Sequence, residues 1–407
     1  MKKILIWDLE IPLQDSGGPS GYLNNIYKFI KSTSGYENIH FISELVDKAK
    51  DVPKNTSSNV KLNYIKKVFR RFFVGPLKLI TTLYKYTVWK ENKNTPQLKN
   101  GYSYSDFDII HFHHTYHLAT YHSALKANGY SGVILLTTHS PQPLAHELLS
   151  LSPNRIITKI IRPRIEKAEA NAWTKADNIV FPVQDAIYVY ESNPYLKTFI
   201  EKNHSKFKYC PTGISETYNS HNTDIRAKLQ IPQDAIIVTY IGRHNEIKGY
   251  PELKKIGTQI IHAHDNIYFI IAGKEEPIQG LTHKQWIELG WVNYGNDLMN
   301  QSDIFILPNK DTYFDLIAIE ALRAGVPILM TLTGGNRYFK KTYNTPGLFF
   351  YEYGDNKTAE NIILTIAKLK YTTGIDLFRN SNVQLFREHF TTRTFVNNYI
   401  TLCNNLH

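Results

Sequence analysis

Short apolar runs recur along this chain, each followed by a longer stretch whose apolar residues return at helical spacing. That alternation is the mark of βαβ units, in which parallel strands are buried on both faces and helices cover them. The strands fall into two sets. Lys3–Trp7, Ile39–Ser43, Ile109–Phe112, Val133–Thr137 and Asn178–Pro182 form the first, and Ile236–Ile241, Tyr268–Ala272, Ile304–Pro308 and Pro327–Met330 the second. Each set suffices for a doubly wound sheet, so the pattern predicts an α/β chain of two Rossmann-like domains. A length of 407 residues, 42% of them hydrophobic, is more than one compact core usually organises. Between the sets lies CPTGISETYNSHNTDIRAKLQIPQDA, whose Pro, Thr, Ser and Asn content reads as a connection leading into a short helix. The expected domains are 1–220 and 221–385. The stretch from Asn380 to His407 reads as helical, with Val383, Phe386, Phe390, Phe395 and Tyr399 on one side. Residues 386–407 are expected to pack back toward the N-terminal domain.

Lys and Arg outnumber Asp and Glu by 47 to 36, a formal charge of +11 that points to an anionic partner without choosing among phosphate, nucleic acid and membrane. Cys210 and Cys403 are too few for a disulfide framework and fit a reducing compartment. The start MKKILIWDLE resembles a signal peptide only briefly, because Asp8 and Glu10 interrupt its apolar stretch, and it reads better as a buried strand. No run reaches the roughly 18 apolar residues of a membrane-crossing helix. A cytoplasmic protein is expected, with peripheral attachment to the inner face of the membrane as a further option.

In the second half, TYIGRHNEIKGYPEL puts Gly242 at a strand's end, then Arg243, then Lys248 and Gly249 before a helix. Glycine lets backbone approach a ligand, and cations at a strand end beside a helix N-terminus suit a diphosphate. Farther on, a polar loop from Asn309 to Asp315 precedes a helix, Leu316 to Ala324, that carries Glu320 near its first turns. A carboxylate there is well placed to grip vicinal hydroxyls such as those of a ribose. Gly325 ends the helix, and Gly334-Gly335 marks another tight loop. In the first half, Gly17, Gly18 and Gly21 are expected to form a loop running into a helix from Tyr22, a setting that suits an anion. Two histidine groups close strands: IIHFHHTYH, with His111 and His113, and LLTTHSPQP, with His139. Neither has the compact spacing of metal ligands, and no metal site is expected.

This order of motifs resembles the retaining GT-B glycosyltransferases of the glycosyltransferase family 4 type, the kind that builds bacterial surface polysaccharide such as capsule. The likeness covers nearly the whole chain and is strongest from Tyr240 to Asn336. It implies two Rossmann-like domains facing each other across a cleft, with an N-terminal acceptor domain and a C-terminal donor domain. Arg243 and Lys248 would bind the donor diphosphate, Glu320 the nucleotide ribose, His139 the donor sugar, and the loop of Gly17, Gly18 and Gly21 the phosphates. Gly242, Phe314, Leu316, Gly334 and Gly335 complete the donor side, and His111 and His113 are placed on the acceptor side, lining the cleft or packed inside it. The family has a second glutamate where this chain has Thr312. Thr312 carries no charge, and Asp315 is the substitute candidate for that catalytic carboxylate.

The resemblance implies retaining transfer of a hexosyl or N-acetylhexosaminyl group, from a nucleotide diphosphate sugar with UDP favoured, to a glycan or polyprenol-linked hydroxyl. No cofactor and no metal are expected, nor any nucleic acid. A non-catalytic GT-B subunit assisting a partner enzyme is the alternative that the absent glutamate suggests. Residues 61–86 join an apolar helical face, with Leu62, Ile65, Phe69, Phe72 and Phe73, to Lys66, Lys67, Arg70 and Arg71. That combination suits an anionic membrane surface, as it would a helix packed on its own domain.

Overall fold

The computed structural model describes residues 1–14, 18–46, 91–149, 155–218, 220–370 and 372–406. The basic stretch 61–86 and Gly17 lie outside them. The chain divides into two compact units, the first formed by Met1–Phe181, Tyr188–Tyr209 and Ile400–His407, and the second by Pro182–Ile187 and Cys210–Tyr399.

Among the described residues each unit holds a six-stranded, all-parallel sheet. In the first unit, β1 (Ile4–Trp7), β2 (Ile39–Phe41), β3 (Ile109–Phe112), β4 (Val133–Leu136), β5 (Asn178–Phe181) and β6 (Phe207–Tyr209) run in the order β2-β1-β3-β4-β5-β6. In the second, β7 (Ile236–Ile241), β8 (Ile267–Ala272), β9 (Trp286–Glu288), β10 (Ile304–Leu307), β11 (Ile328–Thr331) and β12 (Leu348–Tyr351) run β12-β11-β10-β7-β8-β9. Both orders reverse beside the unit's first strand, between β1 and β3 and between β7 and β10. Those are the topological switch points of doubly wound sheets.

The central strands β1, β3, β10 and β11 are buried at every position, as parallel strands covered on both faces must be. The three strands that sequence reading passes over, β6, β9 and β12, lie at sheet edges and span three or four residues. An edge strand needs fewer apolar residues and so leaves a shorter run to detect.

Local chemistry moves other boundaries. The strand expected to reach Ser43 stops at Phe41, because Ser43 donates from its amide and its hydroxyl to the two oxygens of buried Asp8, at 2.9 and 2.5 Å, and turns the chain into a short helix. The helix expected from Tyr22 begins at Pro19, with Gly18 as its N-cap at φ 73°. Gly21 is therefore helical and buried rather than part of a loop. The helix expected across Asn380 to His407 is two, Thr373–His389 and Thr392–Asn404. The chain breaks there because Ile214 pairs with it: its amide donates to the Phe390 carbonyl at 2.9 Å and its carbonyl accepts from Thr392 at 2.8 Å. Gly213 allows that approach, since a Cβ there would lie 2.2 Å from the Thr391 carbonyl oxygen.

Two sets of contacts tie helices and loops within the units. In the first unit, Asn193 caps the helix Pro194–Lys202 through Tyr195 and Leu196, and its amide donates to Glu169 at 3.2 Å. Glu169 also accepts from the Leu144 amide at 3.0 Å. Burial nevertheless pushes its carboxyl up to about 8. In the second unit, Gly249 sits at φ 69°, where an added Cβ would fall 1.6 Å from the Pro308 carbonyl oxygen.

Both contacts are testable by urea denaturation. Glu169 holds its proton in the folded protein up to about 8 and loses it near 4.5 once unfolded. Its contribution to stability is complete below about 4.5 and disappears as pH rises toward 8. Between pH 5 and pH 8.5 the native protein should lose about 2 kcal/mol or more relative to Glu169→Gln; parallel pH profiles would contradict the neutral carboxyl. Gly249→Ala should cost at least about 2 kcal/mol at neutral pH, since it joins a left-handed backbone to a steric overlap.

Candidate active site

The second unit's switch point is built from three loops at the carboxyl ends of β7, β10 and β11. The first two are tied together: the Ile247 carbonyl accepts from the amides of Lys310, at 2.9 Å, and Asp311, at 3.3 Å. Gly334 and Gly335 bring the third against the second, since their Cβ atoms would lie 1.8 Å from the Thr312 carbonyl oxygen and 2.2 Å from that of Tyr313. Their lack of side chains thus serves loop on loop. Gly242 is similarly enclosed, with Tyr240 Oη 2.7 Å from where its Cβ would be.

Arg243 is exposed, and its guanidinium has no hydrogen bond or ion pair among the described residues. Lys248 is half-buried and its ammonium meets both oxygens of Asp315, at 2.8 and 2.7 Å. Asn309 donates to Asp315 Oδ2 at 2.7 Å. Asp315, expected as the carboxylate that faces the sugar, is engaged by Lys248 and Asn309 and so positions a cation. It stands at the N-cap of the helix Leu316–Ala324 without capping it by side chain. The Ala318 amide donates to the Asp315 carbonyl at 3.0 Å, so the amides of Leu316 and Ile317 are the ones the first turn keeps for an anion.

Glu320 is half-buried and has no hydrogen-bond partner among the described residues. Burial raises its carboxyl above the usual range, and Arg323 partly offsets this. Arg323 is held by the Ser215 carbonyl, at 2.8 Å, and by Asn296 Oδ1, at 2.6 Å, with its guanidinium 4.8 Å from the centre of the Tyr218 ring. The motifs single out neither Arg323 nor the side chain of Asn309. The i,i+3 spacing of Glu320 and Arg323 on one helix carries a signal for the first; Asn309 offers only its place at a strand end.

Two expectations change. Phe314 is buried and stacks on Phe339, with ring centres 5.5 Å apart and planes 6° from parallel, so its ring belongs to an aromatic core. Thr312 is 1% exposed and its hydroxyl oxygen finds no partner among the described residues, so it presents no polar group at the surface.

In the first unit, His139 follows β4 with φ 57°, a left-handed conformation that a side chain adopts at a cost. Its neighbours are pinned by Tyr190, whose hydroxyl accepts from Thr138 Oγ1 at 2.7 Å and donates to the Ser140 carbonyl at 2.6 Å. The Tyr22 ring edge lies against His139, at 4.7 Å between centres. His111 and His113 are buried, so of the two places expected for them it is the packed interior, not an exposed acceptor surface, that they occupy. Thr137 donates to the Val180 carbonyl at 3.1 Å, so it accepts from His111 Nε2 at 2.9 Å. His113 Nδ1 lies 2.8 Å from His139 Nε2, while His113 Nε2 is buried without a partner among the described residues. The assignment that buries no orphan N–H has His113 donating, which leaves His139 with its Nδ1–H. Burial pushes His111 and His139 down to about 3, so both are neutral at physiological pH. Beside them a small pocket is bordered by Thr138, Ser140, Glu147, Glu169 and Tyr190.

Among the described helices none is long and apolar enough to cross a membrane.

The family described as Glycosyl transferases group 1 matches residues 221–378. A protein of Bacillus subtilis, named provisionally as the teichuronic acid biosynthesis glycosyltransferase TuaC, is 31% identical over 114 residues, 28% of this chain and 28% of its own length. Among solved structures, Anabaena HepE in complex with UDP and glucose matches with a TM-score of 0.61 and 14% identity, covering 100% of both chains. Sucrose-phosphate synthase from Thermosynechococcus elongatus matches with a TM-score of 0.62 and 14% identity, covering 99% of this chain and 98% of its own. The chain thus has the α/β architecture of GT-B glycosyltransferases, and the residues from Gly242 to Gly335 lie in the region similar to group 1 glycosyl transferases.

Proposed function

We propose that this protein is a glycosyltransferase that moves a hexosyl or N-acetylhexosaminyl group from a UDP-sugar to a hydroxyl of a glycan or polyprenol-linked acceptor, with retained anomeric configuration. The observation that carries the reading is the second unit's switch point. An exposed Arg243, a Lys248 held by Asp315 and an uncapped helix N-terminus at Leu316 share the carboxyl edge of one sheet, inside the segment similar to group 1 glycosyl transferases. The HepE structure, of the same fold, contains UDP and glucose, which supports a uridine donor.

In the reaction the bond from the sugar's anomeric carbon to the diphosphate breaks and a bond to the acceptor oxygen forms, while the acceptor's proton passes to the departing diphosphate. The barrier falls most where positive groups already face the charge that develops on the leaving group. Arg243 supplies a fork of donors, Lys248 a point charge whose place Asp315 fixes, and the helix N-terminus its free amides. Glu320 is assigned the ribose hydroxyls. In the first unit Gly18, the N-cap of its helix, is assigned the phosphates, and His139, as a neutral ring with a free Nδ1–H, donates to the donor sugar. No metal is needed at the diphosphate.

The first test is nucleotide release by the purified protein from UDP-, GDP-, ADP- and dTDP-sugars in EDTA, with thermal shift as the binding readout. Release from one donor class is expected; stabilisation without release, even with glycan acceptors added, would favour a non-catalytic subunit. Arg243→Ala should lower kcat/KM by about 100-fold or more with little change in Tm, and near-native turnover would remove Arg243 from the site. His139→Ala should lose transfer yet still be stabilised by UDP, because its partner is the sugar. Loss of UDP binding instead would place His139 on the nucleotide.

A further inference from the structure

We propose that His244, Glu275 and Glu288 bind one divalent transition-metal ion, with Zn2+ the ion their chemistry suits, and that this ion clamps the loops after β7 and β8. The inference stands apart from the donor reading, since none of the three residues has a role in it.

One ring nitrogen of His244 and one oxygen of each glutamate lie within 4.8 Å of one another. His244 Nε2 is 3.6 Å from Glu288 Oε2, too far for a hydrogen bond. It is close to the roughly 3.3 Å that separates neighbouring ligands when bonds of about 2.0–2.1 Å point to the corners of a tetrahedron. His244 is completely buried, and neither ring nitrogen has a hydrogen-bond partner of normal geometry among the described residues. Glu288 Oε2 is also buried without one. Unmatched polar atoms in a buried place are costly, and one cation would satisfy Glu288 Oε2 together with the His244 nitrogen that faces it, Nε2, while Nδ1 carries the hydrogen of the neutral ring.

The surroundings hold these atoms as an outer ligand shell does. Glu288 Oε1 accepts from the Tyr250 hydroxyl and from Trp286 Nε1, the latter at 2.7 Å, which leaves Oε2 for the ion. Tyr250 stacks on His244 with centres 3.8 Å apart and planes 6° from parallel, fixing the ring. Glu275 Oε2 accepts from the Gly280 amide at 3.2 Å, leaving its other oxygen. The backbone joins the two loops: His244 donates to the Lys274 carbonyl and accepts from the Ile278 amide, each at 3.2 Å. A neutral imidazole and two carboxylates balance a divalent charge. Three protein ligands leave one position for water at the half-buried Glu275 side.

The test uses the whole protein, stripped with EDTA and dialysed, then titrated calorimetrically with ZnCl2 and, in parallel, with Co2+ followed by visible absorption. One equivalent per chain and the cobalt bands of a four-coordinate site are expected. Glu275→Gln, at a half-exposed position, should weaken Zn2+ binding by about 10-fold or more, and His244→Gln should weaken it at least as much. His262→Gln, which removes an exposed imidazole, should leave the affinity unchanged. Absence of stoichiometric binding, or binding that Glu275→Gln leaves intact, would overturn the proposal, and circular dichroism separates an unfolded His244→Gln from one that has lost only the ion.

Discussion

The Pro308 carbonyl occupies the space that a side chain at residue 249 would need, and that single backbone contact sets the geometry of the second unit's edge. With the two loops pressed together, the Ile247 carbonyl can take the amides of Lys310 and Asp311, and Lys248 can reach Asp315. Because Asp315 is drawn to Lys248 and Asn309, the helix behind it is left without a side-chain cap. Charge placement and helix exposure therefore come from one steric fact.

The first unit solves a different problem, that of holding an imidazole in a set direction without ionising it. Burial disfavours the charged ring, and the link from His113 to His139 fixes which nitrogen carries hydrogen. The left-handed backbone at residue 139 persists because Tyr190 grips the residues on either side. Rigidity there depends on hydrogen bonds rather than on close packing alone.

The central strands were legible in the sequence because parallel strands buried on both faces must be apolar throughout, and β3 and β7 agree with their expected bounds. The helix Leu316–Ala324 was legible from its terminal Gly325, which adopts φ 72° as a left-handed cap should. Edge strands β6, β9 and β12 were not, since half-exposure dilutes the apolar signal. The break at Phe390 depends on Ile214, far away in sequence, so no local pattern could show it. The motifs single out Arg243, Lys248 and Glu320 as candidates, whereas the partnership of Asp315 with Lys248 joins two loops and is visible only in three dimensions. His111 and His113 illustrate the reverse limit: a polar residue at a strand end looks available to a ligand until its burial is known.

Chain order and compact unit do not coincide in this protein. Residues 400–407 belong to the first unit, and there Asn404 accepts from the Lys2 amide at 3.0 Å while the Leu406 carbonyl accepts from the Lys2 ammonium. Both segments of the second unit, Pro182–Ile187 and Cys210–Tyr399, thus interrupt the first, and no single cut through the connection yields two whole halves. A first half expressed alone would start its β1 strand without those partners, so each half is better obtained by grafting the tail residues through a new linker than by truncation.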